Sequence, residues 1–261
     1  MAKPEVEDTI DDKPMPLLDH LIELRRRLLW SMLAFMVCFA GCYYFAGQIY
    51  YFLAEPLAKV LRENGQPDPR LIYTQLYEAF FTRIKVAVFG GAFIGFPVIA
   101  AQLWLFVAPG LYRSEKRALL PFLLATPILF LLGGALAYYV IFPFAWGFFA
   151  SFQTPTGGGG LPIELLPRVS EYLDLVMKMI FGFGIIFQLP VGIALLAKVG
   201  ITSSKSLKKF RRYALVGMCV LAAIVAPPDP ISMIIVAVPL MVLYEISIIA
   251  ARWVEPKPVE V

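Results

Sequence analysis

Apolar residues run almost unbroken for about twenty positions at a time along this chain, and short polar or proline-rich segments separate the runs. A helix rises about 1.5 Å per residue, so about twenty apolar residues cross a hydrocarbon core of about 30 Å. The pattern predicts six such helices, at about 28–47, 78–107, 118–141, 170–197, 212–226 and 231–250. The fifth is short, about 22 Å by the same rise, and must shelter against its neighbours or sit where the bilayer thins. The turn Pro227-Pro228-Asp229-Pro230 divides it from the sixth. Three prolines and a carboxylate inside lipid would leave backbone groups unpaired, so two spans are expected there rather than one kinked span. The membrane domain then covers 17–252, between polar tails at 1–16 and 253–261.

Two longer segments fall between spans. In 48–73, Ile49, Leu53, Leu57 and Val60/Leu61 make a helical stripe flanked by Glu55, Lys59 and Arg62, the pattern of a helix lying at an interface. The segment 142–167 begins with Phe144, Trp146, Phe148, Phe149 and Phe152, which suit a membrane-interface belt, and ends in Gly157-Gly158-Gly159-Gly160. No Lys-Ser/Thr follows these glycines, so a flexible loop is expected rather than a phosphate cradle. Pro97, Pro127, Pro190 and Pro239 fall inside spans, and each removes a helical hydrogen bond and can bend its helix, so that several together can enclose a concavity.

Composition agrees. Of 261 residues, 59% are hydrophobic and only 16% charged, against about 25% charged in soluble domains, and mean hydropathy is +0.74. A multi-span membrane protein is expected, and a soluble enzyme or a nucleic-acid binder is not. Sixteen of the 23 Lys and Arg fall on one side if both termini are cytoplasmic, leaving Lys59, Arg62, Arg70, Arg83, Lys85, Arg168 and Lys178 outside. Cytoplasmic loops carry such an excess, so both ends are placed inside. The acidic start (Glu5, Glu7, Asp8, Asp11, Asp12) is expected to be a solvated tail rather than a cleavable signal.

Catalytic signatures are missing from the sequence. Three cysteines, Cys38, Cys42 and Cys219, all in apolar runs, do not form a disulfide framework, and the one histidine, His20, builds neither a metal site nor a triad. No HExxH, GxSxG or Walker A pattern occurs. No cofactor and no enzymatic activity are expected, and work must come from partners or the membrane potential.

Charges near the membrane surface then need an explanation. Leu17, Leu21, Leu24 and Leu28 form one stripe of an amphipathic helix, and His20, Glu23 and Arg27 form another. Arginines at the cytoplasmic headgroups are ordinary, and Glu23 can pair Arg26 or Arg27 along the helix. A carboxylate is less ordinary, because an anionic leaflet repels it. Glu115 likewise sits among Arg113, Lys116 and Arg117. Carboxylates on one membrane face can each hold a guanidinium through charge-assisted, often bidentate bonds, which select Arg over Lys. Local pairing of Glu115 is the alternative.

Several segments together resemble one family. They are His20-Leu21-Ile22-Glu23-Leu24-Arg25, Glu78-Ala79-Phe80-Phe81, and Phe96-Pro97 followed by Gln102, Trp104, Phe106, Pro109-Gly110-Leu111-Tyr112 and Glu115. Phe183-Gly184, Phe187 and Leu189-Pro190 continue the series, which ends in Pro227-Pro228-Asp229 and Tyr244-Glu245. In this set and order the chain resembles the TatC family, the multi-span core of the twin-arginine protein translocase, over about residues 17–252.

The resemblance implies an all-α, six-span, cup-shaped bundle in the bacterial inner membrane with both termini cytoplasmic. It implies a receptor that binds twin-arginine signal peptides of folded proteins. Export would use the proton-motive force with single-span TatA and TatB subunits, further TatC copies and the bilayer. Glu23 and Glu115 would hold the arginines, with Arg25, Leu28 and Phe106 shaping the surface. Pro56, Glu78, Gln188, Asp229 and Glu245 are carried over as transport or assembly positions.

The chain departs from the family pattern at three places: Gln188 where Glu is common, Ala226 where Thr is, and Met233 where Gln is. A charge-based role at 188 is thereby weakened, although an amide still attracts a polar partner. On the residues alone, Glu78 can cap a helix or serve function, Asp229 can hold a turn, Glu245 can pair with Arg252, and Lys178 can snorkel or pair with Asp174. A small-solute secondary transporter is the rival reading, but such folds carry internal repeats and midplane charges.

Overall fold

The computed structural model describes residues 17–107, 120–154 and 163–255. Ten α-helices and one π-helical turn account for nearly all of them, and no strand occurs among the described residues beyond two isolated bridges. The helices are α1 (Leu17–Tyr44), α2 (Ala46–Glu63), α3 (Glu78–Val107), α4 (Leu120–Leu136), α5 (Phe142–Ala150), α6 (Val169–Ile186), α7 (Leu189–Lys198), α8 (Ser204–Lys209), α9 (Arg211–Val225) and α10 (Pro230–Val254). Five stretches are long and apolar enough to cross a membrane: His20–Tyr44, Glu78–Phe106, Pro121–Ala150, Val169–Lys198 and Pro230–Val254. α9, the remaining expected span, has 15 residues.

Glycine sets the closest helix approaches. α1 and α3 pack antiparallel, and a Cβ on Gly91 would lie 2.9 Å from the Phe39 backbone, while one on Gly90 would meet Cys42. Small residues let helix backbones approach in this way where lipid provides no hydrophobic drive. The α4–α6 contact repeats the device from both sides: a Cβ on Gly133 would meet the Phe183 carbonyl oxygen at 2.6 Å, and one on Gly184 the Phe130 ring at 2.6 Å. Phe130, Phe142 and Phe183 are fully enclosed at the centre. Large apolar side chains elsewhere on the spans, among them Leu29, Leu33, Leu132 and Ile249, face outward, as contact with lipid requires.

Three readings of the pattern change. The segment expected to leave the membrane after residue 141 continues as helix to Ala150 through the wide turn Ala137–Ile141. Pro143 has no N–H and its ring crowds the carbonyl four residues back, and a π turn is one way a helix absorbs that conflict. The aromatic group therefore divides. Phe142 and Trp146 are buried in the core, whereas Phe144 and Phe152 are exposed. The four glycines 157–160 lie outside the described residues. The stripe in α2 forms as expected, but Leu53, Leu57 and Leu61 are buried against the helical bundle, chiefly against α5 and α3. The fourth expected span is broken at Phe187–Gln188, with Pro190 in the first turn of α7. Proline fits there because first-turn N–H groups have no helical partner.

Candidate functional site

α1 begins where α3 ends, and the polar stripe of α1 faces α3. Glu23 Oε1 accepts a hydrogen bond from Arg27 Nη2 at 3.1 Å, and Arg27 Nη1 donates to Gln102 Oε1 on α3 at 3.2 Å. One turn earlier, the His20 ring stacks on Phe106 with centroids 4.5 Å apart. Glu23 and Arg27 are only 21% and 29% exposed at their side chains, so the pair is sheltered yet reachable. A carboxylate carries about four acceptor positions on two oxygens, and Arg27 uses one oxygen. Among the described residues Glu23 Oε2 has no hydrogen bond, and a second guanidinium can use it.

Of the expected site residues, the structure brings Glu23 and Phe106 to one place. Arg25 and Leu28 point to the exposed side of the same helix, Leu28 at 65% exposure. Glu115 lies outside the described residues, and with it the expected pairing of two carboxylates. Gln102, which completes the Glu23–Arg27 network, stands 75 residues from Arg27. Its place in the third motif is the signal for it.

Gln188 is used inside the protein through its amide nitrogen, while its Oε1 is buried with no partner among the described residues. Its Nε2 donates to the Thr126 carbonyl at 3.0 Å, and the Thr126 hydroxyl accepts from Trp104 Nε1 at 2.9 Å and donates to the Phe122 carbonyl at 2.8 Å. This chain of amide, hydroxyl and indole ties α3, α4 and the α6–α7 break together. Thr126, a buried hydroxyl beside Pro127 in an apolar run, was the missed member. Ala226 is buried at the end of α9, and Met233 packs partly buried against the core.

At the other end of the membrane-spanning helices, Glu78 is buried and accepts four hydrogen bonds. Its Oε1 takes the Ser170 N–H (3.1 Å) and hydroxyl (2.7 Å), and its Oε2 takes the N–H groups of Thr74 (3.0 Å) and Gln75 (3.4 Å). Glu78 thus caps α6, whose first turn holds Ser170, from across the fold. Backbone bonds from Ile72 N to the Pro167 carbonyl and from Val169 N to the Ile72 carbonyl extend the clasp.

Pro56 lies inside α2 and is buried. It has no N–H for the carbonyl of Phe52 four residues earlier. The Tyr138 hydroxyl donates to that carbonyl at 2.7 Å, its ring stacked on Phe52 with centroids 4.4 Å apart, and the Tyr172 hydroxyl donates to the adjacent Leu53 carbonyl at 2.8 Å. Asp229 caps α10, its Oδ1 accepting from Ser232 N at 2.7 Å. Glu245 pairs with Arg211 at 2.5 Å rather than with Arg252, and Asp174 is taken by Lys85 at 2.6 Å rather than by Lys178. Long-range partners displace the expected helical neighbours in both cases. Among the described residues no three His, Cys, Asp or Glu side chains gather as metal ligands.

Comparison with known proteins places this arrangement. Residues 19–239 match the family model described as Sec-independent protein translocase protein (TatC). The chain is 49% identical to the Sec-independent protein translocase protein TatC of Magnetococcus marinus over 249 residues, covering 95% of this chain and 88% of that one. It is 45% identical to the protein of the same description from Rickettsia prowazekii, over 91% of this chain and 92% of the other. A crystal structure described as the twin-arginine translocase receptor TatC superposes with a TM-score of 0.74 at 37% identity, covering 89% of this chain and 97% of that chain.

Proposed function

This chain belongs to the TatC family of multi-span translocase proteins, and from that premise we propose that it is the receptor for twin-arginine signal peptides, with Glu23 holding one of the two guanidinium groups. The observation that carries this reading is the sheltered Glu23–Arg27–Gln102 network beside the His20–Phe106 stack. Arg27 neutralises Glu23 at rest and keeps the carboxylate oriented, while the second carboxylate oxygen stays available. A guanidinium fork can engage it at two points, whereas an ammonium acts as a single point charge.

Glu115 supplies the second carboxylate, and Arg25 and Leu28, on the exposed side of α1, line the path the peptide follows to Phe106. The Glu23 end faces the cytoplasm, as the distribution of Lys and Arg favours. Both termini lie on that side of the bacterial inner membrane, and 17–252 is the membrane domain, with α9 as its sixth span. The rest of the machinery follows the family: folded cargo, single-span TatA and TatB subunits, further copies of this chain, and energy from the proton-motive force.

The test is crosslinking of a twin-arginine signal peptide to the inserted protein. Glu23→Ala and Glu115→Ala are each expected to abolish the crosslink while insertion is unchanged. A peptide with Lys-Lys in place of Arg-Arg is expected to bind at least about tenfold more weakly, the scale of one charge-assisted hydrogen bond. Undiminished crosslinking in both variants removes the receptor assignment, and equal binding of the two peptides removes the bidentate argument.

A further inference from the structure

An open groove of about 430 Å³ lies between α3 (Ile84 to Ala92) and α6 (Asp174 to Phe181), beyond their first turns and in the half of the molecule nearer Glu78. Its floor is apolar, made by Val88, Phe89, Ala92 and Phe181, and its rim carries Lys85, Asp174 and Lys178. The rim charges do not balance. Lys85 Nζ donates to both oxygens of Asp174, at 2.6 and 2.9 Å, so the single carboxylate is engaged twice from the facing helix. Lys178, one turn further along α6, is exposed and has no hydrogen bond or ion pair among the described residues. It stands nine residues past Val169, about 13 Å along a stretch that is apolar enough to cross a membrane. A lone ammonium at that depth must reach the headgroups or find an anion.

We propose that this groove holds one acyl chain of an anionic phospholipid from the leaflet at the Glu78 end, with the headgroup phosphate set against Lys178 and the third N–H of Lys85. The form of the groove suits the occupant. It is shallow and open to the lipid side, and its apolar floor runs about 12 Å from Ile84 to Ala92. A hydrocarbon chain can lie along such a strip without leaving polar groups unpaired. Charge selects the headgroup. Two ammonium groups and one carboxylate leave a single positive charge, which one phosphodiester neutralises. A zwitterionic lipid brings its own cation and leaves the imbalance in place. Basic pockets between membrane helices hold anionic headgroups on this principle.

The test is native mass spectrometry of the full chain in detergent, titrated separately with phosphatidylglycerol and with phosphatidylcholine of the same acyl chains. The wild type is expected to retain one phosphatidylglycerol at least about fivefold more tightly than phosphatidylcholine, the scale of one Lys–headgroup contact. Lys178→Gln, an exposed position that leaves the packing intact, is expected to abolish the preference, and Lys178→Arg to keep it. Ala92→Trp, which fills the floor, is expected to reduce retention by a similar factor without changing the elution profile of the protein. Equal retention of the two lipids by the wild type, a preference that survives Lys178→Gln, or retention unaffected by Ala92→Trp would each overturn the proposal.

Discussion

Removing the Tyr138 hydroxyl leaves its ring stacked on Phe52 but strips the donor from a carbonyl that Pro56 has already deprived of its helical partner. Tyr138→Phe is therefore expected to cost about 0.5–1.5 kcal/mol, the range for one ordinary hydrogen bond at an exposed site, concentrated in α2. Hydrogen exchange checks this: α2 amides should exchange faster while those of α10 do not change. Gln188 supports a parallel argument. Gln188→Leu keeps the volume and removes the cross-helix donor to the Thr126 carbonyl together with a buried amide oxygen that has no partner, so a net loss of no more than about 1 kcal/mol is expected, read as a lower melting temperature in detergent. Gln188→Glu, the residue common at this position in the family, can donate to the same carbonyl only while its carboxyl is protonated, so the variant is expected to lose stability relative to Gln as pH rises. Little of this was legible in the sequence. Pro56 and Gln188 stand out as unusual in their runs, but their partners are 82 and 62 residues away and carry no local mark. Glu23–Arg27 was legible because i,i+4 spacing on a helix is itself a contact prediction.

Glycine positions separate helix elements that touch from those that face lipid. Gly133→Ala would push a methyl group against the Phe183 carbonyl oxygen at 2.6 Å, and backbone cannot swing aside as a side-chain tip can. We expect a loss of about 1–3 kcal/mol, the usual cost of overpacking, with α4 and α6 forced apart. Gly41→Ala in α1 meets nothing within 4 Å and should be neutral or stabilising by up to about 1 kcal/mol, because it trades a flexible helix residue for a good helix former. Thermal denaturation of the two variants side by side checks both signs. Apolar run length made the helices legible, but not their ends. The expected pattern ends the third span at residue 141, yet α5 is as apolar as α4 and continues it to Ala150, with Phe142, Ala145 and Trp146 burying one face in the core. Which of these side chains turn inward is set by tertiary packing, which no sequence window records. The same blindness explains the ion pairs. Lys178 and Arg252 lay nearest in sequence to Asp174 and Glu245, but Lys85 and Arg211 came from packed neighbouring helices.

Across the whole molecule, the two membrane-facing ends are held by different means. At the Glu23 end, a sheltered ion pair within α1 reaches α3 through the Arg27–Gln102 hydrogen bond, and the His20–Phe106 stack adds a second link, contacts that a ligand can rearrange at a cost of about 1 kcal/mol each. At the Glu78 end, one buried carboxylate gathers four donors from the start of α6 and from the loop ahead of α3. Glu78→Gln tests whether this clasp is rigid scaffold. The amide keeps one acceptor oxygen and turns two N–H donors toward groups that are themselves donors, so at least two of the four bonds are lost. Bonds to a charged group are worth about 1.5–3 kcal/mol each, and a loss of about 3 kcal/mol or more is expected. It should appear as fast amide exchange at Thr74, Gln75 and Ser170, and as loosening of the Ile72–Val169 bridge. Signal-peptide crosslinking at Glu23, a full membrane thickness away, should persist in whatever fraction remains folded. If that crosslinking fails in the folded fraction while exchange at Ser170 stays slow, Glu78 takes part in binding itself and the division of labour between the two ends is wrong.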